Sequence, residues 1–247
     1  MCYKLRMTNF KKILVLTGSG ISAESGISTY RGGADDDKGL WSEVDFQKYA
    51  SPEGFVEDPE GVHDFYNIRR AQIRTVEPNP AHFALARLQD HLHGQGGHLT
   101  LVTQNVDDLH ERAGAQTLHM HGEILKGFCD ACDSDRFTVK ADLTTTDKCQ
   151  TCGALGRVRP DVVWFGEMPY HLDAIYAALS SADLFVSIGT SGAVYPAAGF
   201  VQEAQSAGIA TMELNLEPSD NHWAFDEAIH GPAAEVVPEW TARWDLK

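Results

Sequence analysis

The chain has 247 residues, enough for one large domain or one domain with a small satellite. Hydrophobic content of 43% is ordinary for a globular protein, and no run of about 18 apolar residues exists to cross a membrane. The net charge of −15 argues against a nucleic-acid binder, which usually shows a basic face for phosphate neutralisation. An acidic surface serves solubility first and favours basic peptides among partners. The opening stretch MCYKLRMTNFKK has basic residues but no apolar core of a secretory signal, so the cytoplasm is the expected compartment.

Taken in chain order, Ile13-Leu14-Val15-Leu16 reads as a buried parallel strand ending at Thr17. The segment GSGISAESGISTYRG, Gly18 to Gly32, follows directly. Glycines at a strand end, leading into a helix start, let backbone N–H groups approach a phosphate, so a phosphate-bearing ligand is expected. Gly18, Gly20 and Ala23 fit the dinucleotide pattern, and tight-turn glycines would give the same letters. A dinucleotide fold of the dehydrogenase type also needs an acidic residue at the end of a second strand about 20 residues on. Asp35, Asp36 and Asp37 stand at that distance but in a polar loop, which weakens the hydride-transfer reading. Arg31 is placed to offset pyrophosphate charge or to make a surface ion pair.

Residues 34–78 look helical and loop-like, an insertion after the glycine loop. Within it, Tyr66 and Arg69 of FYNIRR lie one turn apart on one helix face. With Arg70 and Arg74 nearby, spacing alone favours a solvated basic face there. Asn79-Pro80 is a cap and first-turn pair for a helix carrying Ala81, Leu85, Leu88 and Leu92 on one side. Leu99 to Thr103 is the next strand, and TQNVDDLHERAG follows it. Gln104, Asn105 and Asp107 would project from that strand end, suited to ribose hydroxyls or a carboxamide, or equally to an Asx-type helix cap.

His119-Met120-His121-Gly122 offers a general base near neutral pH or a hydrogen-bonded core histidine. Cys129, Cys132, Cys149 and Cys152 form two CxxC pairs with the spacing of a zinc ribbon. In an intracellular chain disulfides are the weaker explanation, and Cys2 is left over. Further on, Leu172, Ile175, Tyr176 and Leu179 make an apolar helix stripe. Leu184 to Ile188 is a strand before Gly189-Thr190-Ser191. Pro196 opens a helix with Phe200, Val201 and Ala204, closed by Gly208. Ala210 to Leu214 is a strand before Asn215.

Alternating strands and helices predict an α/β fold, a doubly wound parallel Rossmann-like sheet. Residues 1–33, 79–121 and 159–247 would build it. The helical insertion 34–78 and a zinc-ribbon module, 122–158, would form a smaller lobe. In such sheets ligands bind beyond the carboxyl ends of the strands, so the four polar strand ends should converge on one crevice.

In their order, GSGISAESGISTYRG, TQNVDDLH, HMHGE, the paired CxxC motifs, VVWFGE, GTS and NLEP resemble the sirtuins, NAD-dependent protein deacylases, over about residues 12–239. The chain is most similar to the bacterial class III type. The resemblance implies a large NAD-binding domain, a small zinc-plus-helical lobe and an active site between them. It implies that Gly18, Ser19, Gly20, Arg31, Gln104, Asn105, Asp107, Gly189, Thr190, Ser191 and Asn215 contact NAD as co-substrate. It implies that His121 is the catalytic base, with Asn105 and Asp107 positioning the reacting ribose and water. The four cysteines would hold one structural Zn2+.

Val163, Phe165, Gly166 and Glu167, with Gly192 to Tyr195, match strands that sandwich a substrate peptide by main-chain pairing. Tyr66 and Arg69 match a pair that binds the carboxylate of succinyl- or malonyl-lysine, and Ala50 a small residue leaving room for a longer acyl chain. Ser19, Ser28 and Tyr30 depart modestly from the common alanine, proline and phenylalanine. The implied reaction removes acetyl and succinyl or malonyl groups, giving nicotinamide, free lysine and O-acyl-ADP-ribose. Acylated lysines of proteins are the implied partners, without nucleic acid or membrane, and a monomer is expected. The competing readings are protein ADP-ribosyl transfer, a dehydrogenase carrying a zinc ribbon, and a binding module that reads nucleic acid through its ribbon.

Overall fold

A computed structural model describes residues 10–29 and 45–244. Expectations that fall on Tyr30, Arg31, Asp35 to Asp37 and Cys2 therefore lie outside the described residues.

Six parallel strands form the main sheet: β1 (Lys12–Thr17), β2 (His98–Thr103), β3 (Thr117–His119), β7 (Leu184–Ile188), β8 (Ala210–Asn215) and β9 (Glu227–His230). Their spatial order is β3-β2-β1-β7-β8-β9. The chain winds outward on one side of β1, then returns to β7 on the other, so β1 and β7 flank the reversal point of a doubly wound sheet. All four strands expected from the sequence are present, each within a residue of its expected bounds. The edge strands β3 and β9 are additional.

Alternate residues of β1 serve opposite faces. Ile13 and Val15 pack with Leu85, Leu88 and Leu92 of α4 (Pro80–Gly94) and with Val237 and Trp240 of α8 (Ala233–Thr241). Leu14 and Leu16 pack with Ile175 and Leu179 of α6 (Leu172–Ser180) and with Phe200, Val201 and Ala204 of α7 (Phe200–Ser206). Each such buried aliphatic side chain contributes roughly 1.5–3 kcal/mol over its exposed state. With helices on both faces, the strands read as nearly unbroken apolar runs.

The caps follow the sequence. The Asn79 side chain accepts from the Ala81 N–H, and His82 completes a reciprocal capping box, with Pro80 in the first turn. Gly208, at φ +73°, sits just past α7 in the left-handed conformation that closes a helix.

Two excursions leave the sheet. The first carries α1 (Phe46–Tyr49), α2 (Pro52–Glu57) and α3 (Pro59–Ile73). The second is an antiparallel sheet of β4 (Gly122–Cys129), β5 (Phe137–Thr138) and β6 (Val158–Val162), ordered β5-β4-β6. They share a core in which Val62, Tyr66 and Ile73 of α3 meet Ile124, Val162 and Trp164. A short helix α5 (Leu109–Arg112) follows β2. Among the described residues, no helix is long and apolar enough to cross a membrane.

The candidate active site

The glycine loop is built by close approach. The N–H of Gly18 donates to the Ile188 carbonyl and that of Gly20 to the Gly189 carbonyl, both at 2.9 Å. A Cβ on Gly18 or Gly20 would stand 2.7 Å from backbone atoms of Gly189. Gly189 itself lies at φ +62°. The expected helix start is instead two short 3-10 turns, Ser19–Ile21 and Ala23–Ser25. The glycines thus allow the β1 and β7 ends to touch, and the Gly18 and Gly20 N–H groups are used within the protein.

The segment after β2 is tied to this loop from beneath. Asn105 Nδ2 donates to the Gly18 carbonyl and to Ser22 Oγ, both at 3.1 Å. Ser22 Oγ donates to Asp107 Oδ2 at 3.1 Å, and the Leu109 N–H donates to Asp107 Oδ1 at 3.2 Å. Asp107 is therefore buried and serves as an Asx-type cap. Burial raises its pKa, partly offset by the bonds from Leu109 and Ser22. It does not project into the main cavity as expected; it borders a separate space of about 10 Å3 with Ser19, Asn105 and Arg69.

The two histidines after β3 divide their roles. Nδ1 of His119 faces the Asn105 carbonyl and Nε2 faces Glu111 Oε1, each at 3.1 Å. Burial lowers its pKa, but the bond and charge of Glu111 outweigh that, and the net shift is upward. It is the core histidine. His121 Nδ1 lies 3.0 Å from the Gln104 carbonyl, which can only accept, so Nδ1 carries the hydrogen and Nε2 the lone pair. Burial lowers its pKa, offset in part by that bond, so the ring is neutral at pH 7. His121 lines the main cavity.

That cavity, about 240 Å3, lies at the carboxyl ends of β1, β2 and β7. Gly18, Ser19, Gln104, Asn105, Gly189, Thr190 and Ser191 form its sheet side. Asn215 does not line it; its Nδ2 donates to the Thr190 carbonyl at 2.8 Å and holds that loop. The opposite side comes from the excursions: Ala50, Tyr66, Arg69 and Val163 to Glu167. Tyr66 and Arg69 are 4% and 8% exposed, so they do not form a solvated face. Arg70 and Arg74 turn instead to the small sheet, donating to the carbonyls of Ile124 and Val139.

Val163 to Glu167 and Gly192 to Tyr195 are not strands. The Glu167 N–H closes a turn on the Trp164 carbonyl at 3.0 Å, with Gly166 at φ +90°. The Val163 N–H is bonded to the His121 carbonyl and the Phe165 N–H to the Ala50 carbonyl, both at 2.9 Å. The Glu167 carboxylate is clamped by Arg159 Nη1 and Nη2 at 2.9 and 2.8 Å. Glu167 is the one acidic residue among the described residues that line the cavity. An anionic dinucleotide entering it meets hydroxyls, amides and the Arg69 guanidinium, with the single carboxylate already paired. The wall fits such a ligand despite the chain's −15 net charge.

The four thiols of Cys129, Cys132, Cys149 and Cys152 lie within 4.8 Å of one another. Cys129–Cys152 and Cys132–Cys149 sulfurs are 3.8 Å apart. A disulfide needs about 2.05 Å. Four sulfurs around zinc at about 2.3 Å would stand about 3.8 Å apart, so the donor set fits a tetrahedral ion. Four thiolates leave no open position, which suits a structural role.

Sequence reasoning did not single out Ser22, His82 or Trp164. Ser22 and His82 belong to the polar layer under the cavity, His82 Nε2 lying 3.5 Å from Ser22 Oγ. The signal for Ser22 was present inside the glycine segment. His82 was legible only as a helix-cap position, and Trp164 only as an apolar letter of VVWFGE.

Comparison with known proteins accords with this geometry. The Sir2 family model matches residues 18–196. An NAD-dependent protein deacylase of Caulobacter vibrioides is 52% identical, over 96% of this chain and 98% of its own length. The enzyme of that name from Escherichia coli K12 is 54% identical, over 94% of this chain and 81% of its own. A solved Sir2 homolog–NAD complex superposes with TM-score 0.85 at 36% identity, covering 98% and 93% of the two chains. A Sir2 structure bound to acetylated peptide gives TM-score 0.80 at 25% identity, covering 98% and 97%. A match of this extent in both sequence and fold has one reading: the chain belongs to the Sir2 family.

Proposed function

We propose that the chain is an NAD-dependent protein-lysine deacylase that removes acetyl groups and also the acidic succinyl and malonyl groups. Relatives at 52–54% identity carry the name NAD-dependent protein deacylase. One observation carries the reading: His121 presents a neutral imidazole on the cavity wall, its Nδ1–H fixed to Gln104 and its lone pair on Nε2. A neutral, oriented imidazole is what removal of a proton from a hydroxyl requires.

Bound NAD supplies an activated ribose carbon that the acyl group can join as nicotinamide departs. The chain's residues do the rest. Ser19, Gln104, Thr190 and Ser191 hold the dinucleotide by hydroxyl and amide groups; Arg31, outside the described residues, is assigned to NAD from its sequence motif alone. Asn105 and Asp107 act by fixing the loop geometry through Ser22 and Gly18. His121 Nε2 takes the proton of a ribose hydroxyl. That hydroxyl oxygen bonds to the acyl carbon, one water adds to the same carbon as the lysine amine departs, and the products are nicotinamide, free lysine and O-acyl-ADP-ribose. Tyr66 and Arg69 donate to the acyl carboxylate, and Ala50 leaves the volume for it. The four cysteines hold one structural zinc ion.

Mass spectrometry of one lysine peptide, acetylated or succinylated, with and without NAD, tests this. The expected result is NAD-dependent removal of both groups. Acetyl removal alone would end the carboxylate reading of Tyr66 and Arg69. Transfer of label from NAD to protein with no acyl removal would replace the whole reading by ADP-ribosyl transfer.

A further inference from the structure

Trp164 sits where the two excursions meet, and it is held at every edge. Its indole Nε1–H donates to the Tyr66 phenol oxygen at 2.9 Å. Its backbone N–H donates to Glu167 Oε2 at 2.8 Å. The Arg159 guanidinium lies over its ring, 3.6 Å from the centroid. Arg159 is itself fixed by both Glu167 oxygens and by the Val162 carbonyl at 3.1 Å. Phe55 packs on the indole at 5.3 Å. The side chain is 2% exposed. The indole therefore cannot turn without losing its bond to Tyr66 and its contact with the Arg159 guanidinium.

An indole N–H donates and cannot accept. In this pair the Tyr66 phenol oxygen is the acceptor. The phenol oxygen is located by a bond from the segment after β6, although Tyr66 itself rides on α3. Arg69, one turn along, lines the same cavity. The geometry points to Trp164 as a positioning residue for acyl specificity: its indole N–H pins the Tyr66 oxygen at the cavity wall, where the carboxylate of an acidic acyl group would bind. This inference rests on the reading of Tyr66 and Arg69 as carboxylate ligands given above.

The test is a double-mutant cycle of Trp164→Phe and Tyr66→Phe, read as the succinyl-to-acetyl ratio of kcat/KM on one peptide. Trp164→Phe removes the N–H and keeps an aromatic ring against Arg159. The ratio should fall roughly three- to tenfold, chiefly through KM for the succinyl peptide. In the Tyr66→Phe background the same change should leave the ratio where Tyr66→Phe alone puts it. If Trp164→Phe unfolds the protein, benzothienylalanine at position 164 keeps the bicyclic shape and replaces N–H with sulfur, and carries the same expectation. A ratio lowered by Tyr66→Phe but untouched by either change at 164 overturns the role of Trp164 and spares the carboxylate reading. A further fall in the Tyr66→Phe background overturns it too, because the effect would then bypass the phenol. A ratio unmoved by Tyr66→Phe itself overturns both.

Discussion

Nδ1 of His121 lies 3.0 Å from the carbonyl oxygen of Gln104. Because a carbonyl accepts only, this contact fixes the tautomer and leaves the lone pair on Nε2. Burial lowers the His121 pKa below 6.5. A base works only when unprotonated, so activity should fall as pH drops through a value below 6.5, and be flat above it. The kcat/KM–pH profile checks this; an acid limb centred above 6.5 would contradict it. His121→Ala should abolish deacylation, by at least about 100-fold, while dinucleotide binding stays measurable by calorimetry.

The contact between Gly20 and Gly189 sets a second expectation. A Cβ on Gly189 would stand 2.5 Å from the Ile21 nitrogen, and the residue is at φ +62°. Gly189→Ala should lower stability by about 1–3 kcal/mol through steric displacement and left-handed strain. It should also weaken dinucleotide binding, because Gly18, Ser19, Thr190 and Ser191 move with it. Urea unfolding together with calorimetry separates the two effects. Unchanged values in both would mean that the loops yield easily.

The parallel strands were legible because helices cover both faces, so Ile13 to Leu16 are apolar at every position and Leu184 to Ile188 at every position but Ser187. The edge strands β3 and β9 were not, because half-buried residues there leave no apolar run. Helix α8 was hidden by Pro238, an interior proline that local pattern reads as a break. Val237 and Trp240, buried against the sheet, outweigh that missing bond. The four cysteines announced their cluster by spacing alone. Asp107 shows the limit: its place after a strand suggested a ligand contact, but whether it faces the cavity or caps Leu109 depends on loop geometry that no local pattern encodes. The same holds for Trp164, whose partner Tyr66 is distant in sequence.

Buried neutral histidines should make the fold acid-sensitive. Burial lowers the His82 pKa from 6.5 to about 4, partly offset by its bond from Asn79. His110, stacked edge-on 4.9 Å from His82, is pushed well down by burial and by its histidine neighbours. In the unfolded chain both would protonate near 6.5, so the unfolded state binds more protons below that pH. Stability is full above 6.5 and falls as pH drops towards 4, His82 alone accounting for on the order of 3 kcal/mol. His119, whose pKa is raised, acts the opposite way, stabilising below 6.5 and losing that as pH rises. His82→Gln keeps an acceptor for the capping box and removes the titration. Unfolding free energies from pH 7.5 to 5 should show a flatter slope for this variant; an identical slope would exonerate His82.

Zinc removal should reach beyond the cysteines. Asn67 exchanges two bonds with Leu143, at 2.9 and 3.0 Å, and Arg70 Nε donates to Ile124 at 2.9 Å, so α3 is moored to the small sheet. Loss of the ion frees residues 129–152 and, through these bonds, α3. Hydrogen exchange after chelation should rise in 122–162 and in α3, while β1, β7 and β8 stay protected. Exchange confined to the cysteine loops would show that α3 stands without the module.

Arg69 decides between an acyl ligand and a structural cation. Its side chain lines the main cavity and also borders the small space beside Asp107. A guanidinium bonded to an acyl carboxylate is worth about 1.5–3 kcal/mol, or roughly 10- to 150-fold. Arg69→Met keeps the stem and removes the charge. The acetyl group has no carboxylate, so kcat/KM for a succinyl peptide should fall by that factor and for an acetyl peptide by far less. Equal losses on the two peptides, with a lowered melting temperature, would mean that Arg69 holds the cavity wall together and that acyl choice lies elsewhere.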